Sequence, residues 1–295
     1  MMRHIKNIMG KTAILLSALL TCGGSLSAQP YTRNYVQAVT ALDDESVNSI
    51  TEFQYYDLLG RPDLRATNGL GENGKYAYSV VEYNEAGLVK TEYPVSADGS
   101  SNPETPSVNS VRGMGQSTYG DQKPYTVKQY DALGRLVYSC GPGNDWHNQD
   151  KHVSVSYGVN SANSVKVYTT PTSGNSLVKT GRYYPAGTLR VETTTDEDGH
   201  RLQVFTDRLG HKVLERRGTD NDTYFVYNDF GQLRFVLSPQ YQQQGNKALL
   251  AYEYRYDDRG RIVKKILPGC EYIQYWYDKG DRLMFMQDSR LRANR

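Results

Sequence analysis

Short stretches with a two-residue hydrophobic period, separated by turn-forming residues, occupy most of the chain. Tyr252, Tyr254 and Tyr256 fall on one face of such a stretch, and charged residues alternate with them. A period of two is typical of a β-strand with one buried face. Apart from a short helical turn through residues 248–251, no apolar run keeps a 3.6-residue period over three turns. The pattern therefore predicts an all-β chain of successive antiparallel hairpins.

The same period assigns faces on the strands that flank YNDFGQL at residues 227–233. Phe225 and Tyr227 lie two residues apart before this turn, and Leu233, Phe235 and Leu237 follow it with the same spacing. Counting by twos predicts that these residues share one half-buried face.

One motif recurs at the predicted turns: YDALGRL at residues 130–136 has relatives at residues 56–62, 227–233 and 256–262. Its Asp can accept hydrogen bonds from backbone amides two residues on, and its Gly tolerates positive φ. Each copy therefore predicts a type I turn closed by a bulge. The residues to which we assign this structural role are Tyr56, Asp57, Gly60, Arg61, Tyr130, Asp131, Gly134, Arg135, Tyr227, Gly231, Tyr256, Asp257, Gly260 and Arg261.

Weaker copies extend the series, with glycines at Gly87, Gly187, Gly199 and Gly210. A last unit at residues 277–283 carries Asp where Gly is expected. The arginines that follow the turn glycines are expected to pair with acids on neighbouring hairpins, each pair contributing little.

Composition favours sheets with one hydrated face, because the chain holds 25 Tyr against 6 Phe and 2 Trp. Tyrosine has an apolar body and a polar tip, which suits a surface that is packed on one side. The 34 Lys and Arg nearly balance the 32 Asp and Glu. This balance gives no electrostatic case for binding nucleic acid or an anionic membrane.

The N-terminus has the pattern of a signal peptide over residues 1–28. Basic residues precede a short apolar run, and small residues follow it, with cleavage predicted between Ala28 and Gln29. We therefore expect a secreted or cell-surface protein. Two alternatives stay open, an uncleaved anchor and lipidation at Cys22, and a membrane contact is expected only through this segment.

Two further regions follow the signal peptide: an N-terminal β region at residues 29–110 and a hairpin array at residues 111–295. The boundary is placed in residues 96–122, whose Ser, Gly, Pro and Asn content is typical of a loop or linker. Residues 238–247 form a second long connection between strong repeats.

Candidate chemistry is sparse along the chain. His147 and His152 are a weak metal pair because their spacing suits neither helix nor strand, and residues 196–200 fit a turn better than a calcium loop. The turn Asp residues could pair for glycosidic chemistry, but their repetition favours backbone capping. Cys140 and Cys270 could form a disulfide or stay as two unpaired thiols. We therefore predict no enzyme activity, no cofactor and no metal site.

The repeats and their flanking segments resemble the YD repeats of the RHS family, which are large secreted or surface proteins. The resemblance covers residues 56–283 and includes GPGNDWH at 141–147, EYPVSADG at 92–99 and the stretch 256–288. It implies a hairpin sheet that spirals into a hollow shell. In complete relatives a core segment closes the shell around a variable C-terminal domain, often a toxin. Neither part is recognisable in this sequence, so we expect an N-terminal portion whose sheet is open at its C-terminal end.

Two functions follow as hypotheses. The first is a non-enzymatic part of an exported YD-repeat shell or surface scaffold, with the remainder of a longer RHS protein or a capping protein as partner. The second is an extracellular module that binds glycans or a cell surface, with carbohydrate as its ligand, because half-exposed Tyr rings can stack on sugars.

Overall fold

The computed structural model describes residues 13–15, 34–41, 49–68, 76–97, 108–171 and 176–289. The predicted signal peptide lies outside these ranges except for Ala13–Leu15, and so do Cys22, Ala28 and Gln29. Contacts between Cα atoms divide the chain into two compact units, Met1–His152 and Val153–Arg295. No helix in the described ranges has the length and apolar content needed to cross a membrane.

The first unit is an antiparallel series in which each strand pairs with the next along the chain. Two helices, α1 (Val108–Tyr119) and α2 (Asn144–Asn148), accompany it. Its strands are β1 (Ala13–Leu15), β2 (Tyr35–Ala41), β3 (Ser49–Tyr56), β4 (Pro62–Asn68), β5 (Tyr76–Tyr83), β6 (Val89–Ala97), β7 (Thr126–Tyr130) and β8 (Leu136–Cys140).

The second unit repeats this design: β9 pairs with β12, and each strand from β12 to β20 pairs antiparallel with the next. β10 and β11 form a separate two-stranded sheet. The elements are β9 (Val153–Val159), β10 (Lys166–Thr169), β11 (Val178–Tyr183), β12 (Arg190–Thr195), β13 (Arg201–Thr206), β14 (Lys212–Arg217), β15 (Asn221–Tyr227), β16 (Leu233–Leu237), α3 (Pro239–Gln244), α4 (Lys247–Leu250), β17 (Ala251–Tyr256), β18 (Ile262–Ile266), β19 (Tyr272–Tyr277) and β20 (Leu283–Asp288). The prediction of an all-β chain of antiparallel hairpins is confirmed.

Each unit has its own apolar core on one face of its strands. In the first unit the core consists of Phe53, Tyr55, Leu64, Ala66, Tyr76, Tyr78, Val80 and Val111. In the second unit it consists of Val165, Leu189, Val191, Phe205, Val213, Leu214, Tyr224, Val226, Phe235, Leu237, Tyr241 and Ala251. Several tyrosines are therefore buried, and they use their rings as core side chains.

Helix α1 corrects the prediction that residues 96–122 form a loop or linker. Val111 is fully buried in the first core, and Val108 and Met114 pack against it. These three residues lie at intervals of three, so a short apolar stripe is present within a polar composition. Gly115 is also buried and lies near Pro124. The predicted boundary between residues 110 and 111 falls within this helix, inside the first unit.

Helix α3 lies in the second long connection, where no helix was predicted. Its start carries Ser238 and Pro239, and its end carries Gly245 at a φ of 70°. Proline at the start of a helix and glycine after its end are common, so these two residues could have predicted α3 from the sequence. Tyr241 is buried by the fold. Helix α4 confirms the short helical turn predicted nearby, starting one residue earlier.

The face prediction for β15 is wrong. Tyr224 and Val226 are buried, opposite Leu237 and Phe235 respectively, whereas Phe225 and Tyr227 are half-buried. A register shift at the turn leaves Arg234 as an extra residue on β16. Because a bulge reverses the alternation, counting by twos across the turn selects the wrong face.

On β17 the core-facing side carries Ala251 and Glu253, while Tyr252 is exposed. The Glu253 side chain accepts from Lys247 Nζ and Arg255 Nε, both at 2.8 Å. Burial alone would raise the pKa of Glu253, but the hydrogen bonds from Lys247 and Arg255 outweigh burial, so the pKa is lowered from its ordinary value. The charged form is therefore kept inside the unit, since a buried carboxylate is tolerated when it is paired.

Two leucines of one hairpin test which face forms the core. Replacing fully buried Leu214 with Ala should lower the free energy of unfolding by about 2–5 kcal/mol, because a cavity remains. Replacing Leu209, which is 81% exposed on the adjoining turn, should change it by less than about 0.5 kcal/mol. Urea unfolding followed by circular dichroism measures both values, and equal losses would contradict the core assignment.

Candidate functional site

The repeated turns share one hydrogen-bond pattern, seen first at Asp57. Its Oδ1 accepts from the backbone amides of Leu59 and Arg61, both at 2.9 Å, and its carbonyl accepts from the Gly60 amide at 3.0 Å. Gly60 has a φ of 78°, which few other residues adopt without strain. The first residues of the other turns built on this pattern are Asn84, Asp131, Asp196, Asp207, Asn228, Asp257 and Asp278.

The arginine after the glycine pairs with the aspartate of its own turn. Nε of Arg61, Arg135 and Arg261 lies 2.7–2.8 Å from Oδ2 of the Asp four residues earlier. This pairing within the turn was not predicted. Arg261 also pairs with the neighbouring hairpin, as predicted, through Asp281 Oδ1 at 2.6 Å. The left-handed glycine folds the chain back, so the fifth residue of the turn lies over the first.

These bonds act on the Asp carboxylates. Hydrogen bonds from the Arg261 guanidinium, followed by the Arg261 and Arg259 backbone amides, lower the pKa of Asp257. Asp131 has a lowered pKa for the same first reason, through Arg135. The turn carboxylates are therefore held as charged acceptors.

The chain also contains a neutral version and a histidine version of this pair. At residues 228–232, Asn228 Nδ2 donates to Gln232 Oε1 at 2.8 Å, while Asn228 Oδ1 still accepts two backbone amides. At His200 and His211, Nδ1 lies 3.0 and 3.1 Å from Oδ2 of the turn Asp. The backbone geometry is thus common to three side-chain chemistries.

In an antiparallel series, consecutive connections lie alternately at the two opposite ends of the strands. In the first unit the turns at residues 57–61, 84–88 and 131–135 lie at the same end of the strands. In the second unit the turns at residues 207–211, 228–232, 257–261 and 278–282 also lie at one end of the strands. We call each set the turn column of its unit. The turn at residues 196–200 lies at the opposite end of the strands of the second unit, although its local structure is the same.

Tyrosine hydroxyls join the hairpins within each turn column. The tyrosine that precedes a turn donates to the backbone carbonyl two residues past the glycine of the preceding turn. The pairs are Tyr83 to Pro62 at 2.6 Å, Tyr130 to Val89 at 2.9 Å, Tyr227 to Lys212 at 3.2 Å, Tyr256 to Leu233 at 2.8 Å and Tyr277 to Ile262 at 2.9 Å. Burial raises the pKa of Tyr227 and Tyr256, so each keeps the proton that it donates.

At three turns the side chain after the glycine also contacts the tyrosine ring of the next hairpin. The guanidinium carbons of Arg61 and Arg261 lie 4.5 and 4.8 Å from the ring centres of Tyr83 and Tyr277. The His211 ring stacks on Tyr227 at 4.5 Å. Tyr83, Tyr227 and Tyr277 therefore receive a cation or an aromatic ring on the ring face as well as an acceptor for the hydroxyl. This role of the tyrosines was not predicted from the sequence, although tyrosine stands directly before most of the turns.

The predicted unit at Gly187 is a split turn. Gly187, at a φ of 75°, donates its amide to the Asn160 carbonyl at 3.0 Å. Asn160 Oδ1 accepts from the Leu189 amide at 2.8 Å. Asn160 thus takes the place of the turn Asp, and residues 161–184, which include β10 and β11, are inserted after it. The inserted segment packs Val165 into the second core.

The last turn has Asp281 in the glycine position, at a φ of 63°. Its Oδ1 lies 2.9 Å from Arg259 Nη1 and 2.6 Å from Arg261 Nη1. Aspartate tolerates the left-handed region better than most residues, and these ion pairs favour it over Gly at this position.

The other candidate residues take structural positions. His147 Nε2 lies 2.9 Å from the Tyr125 carbonyl, and the His152 ring stacks on Tyr138 at 4.3 Å. Trp146 lies against Gly141 and Gly143. Within the described part of the chain, no three metal-ligating side chains converge.

Cys140 and Cys270 are not joined by a disulfide in the structure. Cys140 is buried, with Sγ 3.2 Å from the Lys151 carbonyl, and Cys270 is exposed.

Comparison with known proteins identifies relatives of the fold. Residues 30–159, less than half of the chain, match a family model described as a domain of unknown function, DUF6443. No curated protein matches significantly. Similar solved structures are the Tc holotoxin pore of Photorhabdus luminescens (TM-score 0.56, 11% identity, 86% of this chain and 12% of the other) and TcdB2-TccC3 (TM-score 0.59, 12% identity, 88% and 13%).

These comparisons show the fold alone. This chain has the hairpin-sheet fold of a segment of these toxin proteins and spans only about an eighth of their length. The assignment to the YD-repeat family of RHS proteins stays a prediction.

One hydroxyl group tests the contact between hairpins. Replacing Tyr256 with Phe should lower the free energy of unfolding by about 0.5–1.5 kcal/mol, because the Leu233 carbonyl loses its donor. Tyr252 is 37% exposed, and its hydroxyl makes no hydrogen bond within the described residues. Tyr252→Phe should therefore leave the urea midpoint unchanged, and a similar loss in both variants would contradict the proposed contact.

The turn carboxylates should make the free energy of unfolding depend on pH in the acidic range. The pKa of Asp257 is lower in the folded chain than its ordinary value of about 3.9, so its contribution is present above that value and is lost as pH falls through the folded pKa. The double variant Asp257→Asn with Arg261→Gln copies the native pair at Asn228 and Gln232. Urea unfolding from neutral pH to about pH 3 should show a smaller loss for this variant than for wild type.

Asp258→Asn serves as the control, because Asp258 is exposed on the same turn. Its acid profile should follow that of wild type. An unchanged profile in the double variant would show that the turn ion pair does not contribute.

Proposed function

We propose that this chain is a non-enzymatic structural segment of an exported shell or surface scaffold built from stacked hairpins. The observation that carries the proposal is the hydroxyl-to-carbonyl bond, which recurs at five hairpin contacts with one sequence spacing. The fold that it shares with segments of Tc toxin proteins supports the same role. Export rests on the predicted signal peptide, and the enclosed toxin of complete relatives rests on the RHS resemblance.

The absence of enzyme activity is part of the proposal. A glycoside hydrolase needs one carboxyl group that holds a proton and one carboxylate that is free to attack the sugar or to activate water. The carboxylates of Asp57, Asp131 and Asp257 instead accept two backbone amides and an arginine each, and their pKa values are lowered. These groups are suited to hold turns, which supports a scaffold over a hydrolase.

The partners proposed for this scaffold are the remainder of a longer RHS protein or a protein that caps the sheet. The similar structures are toxin assemblies of much greater length, which supports association with further protein.

Glycan binding is a second candidate function. Tyr252 and Trp276 are 37% and 39% exposed on strands of the second unit, and exposed aromatic rings can stack on sugars. A glycan array probed with the labelled chain tests it, with Tyr252→Ala and Trp276→Ala as variants that should lose any signal.

Limited trypsin digestion tests the scaffold. The tips of the turn columns carry arginines that trypsin would cut if hairpins opened singly, among them Arg135, Arg259 and Arg261. We expect cleavage at these sites to require cooperative opening of the unit, so it should be slow at neutral pH and rapid in urea.

A variant with Tyr227, Tyr256 and Tyr277 all changed to Phe should be cut sooner at Arg259 and Arg261. The first unit provides an internal control, since cleavage at Arg135 should be unaffected. Rapid cleavage of the wild type at every turn would contradict a stacked scaffold.

A further inference from the structure

We propose that a cleft at one end of the strands of the second unit binds an oligosaccharide that carries carboxylate groups. This inference rests on glycan binding, the second candidate function, and gives it a site away from Tyr252 and Trp276. The cleft has a volume of about 880 Å³, within the range of about 300–1,000 Å³ that is common for small-molecule sites. That volume suits a short oligosaccharide better than an inorganic ion.

The floor of the cleft is a row of side chains that crosses four strands, β12 to β15. Its members, directly paired in this order, are Thr194, Leu202, Arg217 and Asn221. Directly paired residues of antiparallel strands share a face, so these side chains lie side by side. Three strand spacings of about 4.8 Å make the row about 14 Å long. The floor is therefore elongated, as a chain of sugars requires.

Two turns form the walls of the cleft. One is the turn at residues 196–200, which contributes His200, and the other follows β14 at Gly218. The Gly218 amide donates to the Arg201 carbonyl at 2.8 Å, so the second turn is fixed to the start of β13. Both turns lie at the end of the strands opposite to the turn column. A ligand in the cleft would therefore leave the tyrosine contacts between hairpins unchanged.

Two arginines give the lining a positive charge. Arg201 makes no ion pair within the described residues. Nε and Nη2 of Arg217 donate to Glu215 Oε1 at 3.1 and 2.9 Å, and the Arg217 side chain is 71% exposed. Glu215 also pairs with Lys212, so it neutralises Arg217 only in part. Glu215 thereby orients the guanidinium and leaves Nη1 open to an acceptor, which reduces the ordering that binding requires.

The acid in the described lining, Asp196, is already engaged within its own turn. Its Oδ1 accepts from the backbone amides of Asp198 and His200, and its Oδ2 lies 3.0 Å from His200 Nδ1. The arginines of the cleft therefore keep their attraction for an external anion. Guanidinium groups match carboxylates in geometry as well as in charge, so we assign a carboxylate to the ligand.

Polar and apolar side chains between these charges suit a sugar ring. The side chains of Thr194 and Asn221 make no hydrogen bond within the described ranges. Hydroxyl and carboxamide groups can both donate and accept, as sugar hydroxyls do. Leu202 lies between Thr194 and Arg217 in the row and offers an apolar surface to the C–H groups of a ring. Ligand sites commonly combine an apolar wall with a few polar groups that fix orientation.

The test uses a linear oligosaccharide of defined charge. A fluorescently labelled tetramer of galacturonic acid is titrated with the whole chain and followed by anisotropy. The matched probe is the methyl ester of the same tetramer, which keeps the hydroxyls and removes the charge. We expect saturable binding of the acid that is at least about fivefold tighter than that of the ester. The affinity for the acid should fall as the Debye length shortens from about 30 Å at about 0.01 M salt to about 3 Å at about 1 M.

Variants of the chain locate the site. Arg201→Gln with Arg217→Gln should weaken binding of the acid by about five- to thirtyfold, because two charged contacts are lost. Asn221→Asp places a carboxylate directly opposite Arg217, so it should weaken binding of the acid and spare the ester. These positions are exposed, so the urea midpoints should match wild type. Arg208→Gln, an exposed arginine on another turn, is the control and should bind as wild type does.

Equal affinity for the acid and the ester, no saturable binding of the acid, or an unchanged affinity in the double arginine variant would overturn the proposal. Displacement of the acid by an equal concentration of inorganic phosphate would also overturn it, because the cleft would then bind an anion without recognising the sugar.

The glycan array separates this inference from the function on which it rests. A signal that the double arginine variant keeps, and that Tyr252→Ala or Trp276→Ala loses, would preserve glycan binding and reject only the cleft. An array without any signal would remove both, and the scaffold would still be judged by trypsin digestion alone.

Discussion

The hydrogen bond from a tyrosine hydroxyl to the backbone of the preceding hairpin is the contact on which the turn columns depend. The Asp-x-x-Gly turn is a local structure and sets no spacing between neighbours. Strand pairing holds neighbours together, but the turn tips project beyond the ladder. The tyrosine couples the turn to the strand pairing, because it stands at the end of one strand and its hydroxyl reaches the start of a strand in the preceding hairpin. Phenylalanine would fill the same space and leave the carbonyl without this donor.

Side-chain chemistry at the turns varies while the backbone geometry does not. Asp with Arg, Asp with His and Asn with Gln occupy the same pair of positions. The common requirement is a side-chain oxygen at the first position that accepts the backbone amide of the fifth residue, and the fifth side chain varies from arginine to leucine. Such a requirement tolerates sequence change at the turns.

The turns could be predicted from sequence because their determinants lie within five residues. The face of β15 could not, because the bulge at Arg234 reverses the alternation across the turn. Helix α1 depends on Val111, a fully buried apolar residue in a polar segment, and packing on the sheet stabilises the helix more than its own composition does. The hydrogen bond between each arginine and the aspartate of its own turn could not be predicted, because spacing along the chain does not show that the turn folds the fifth side chain over the first. The tyrosine contacts join residues 15 to 41 positions apart, so only the fold shows them.

The split turn shows how the fold accommodates extra chain. Asn160 keeps the bonds of a turn aspartate while residues 161–184 leave and return between the first two turn positions. The strands on either side, β9 and β12, stay in continuous register. A turn tip of this kind is therefore a natural point of entry for new sequence, and a foreign domain grafted there would leave the ladder unbroken. Lineages could acquire surface features in this way one hairpin at a time.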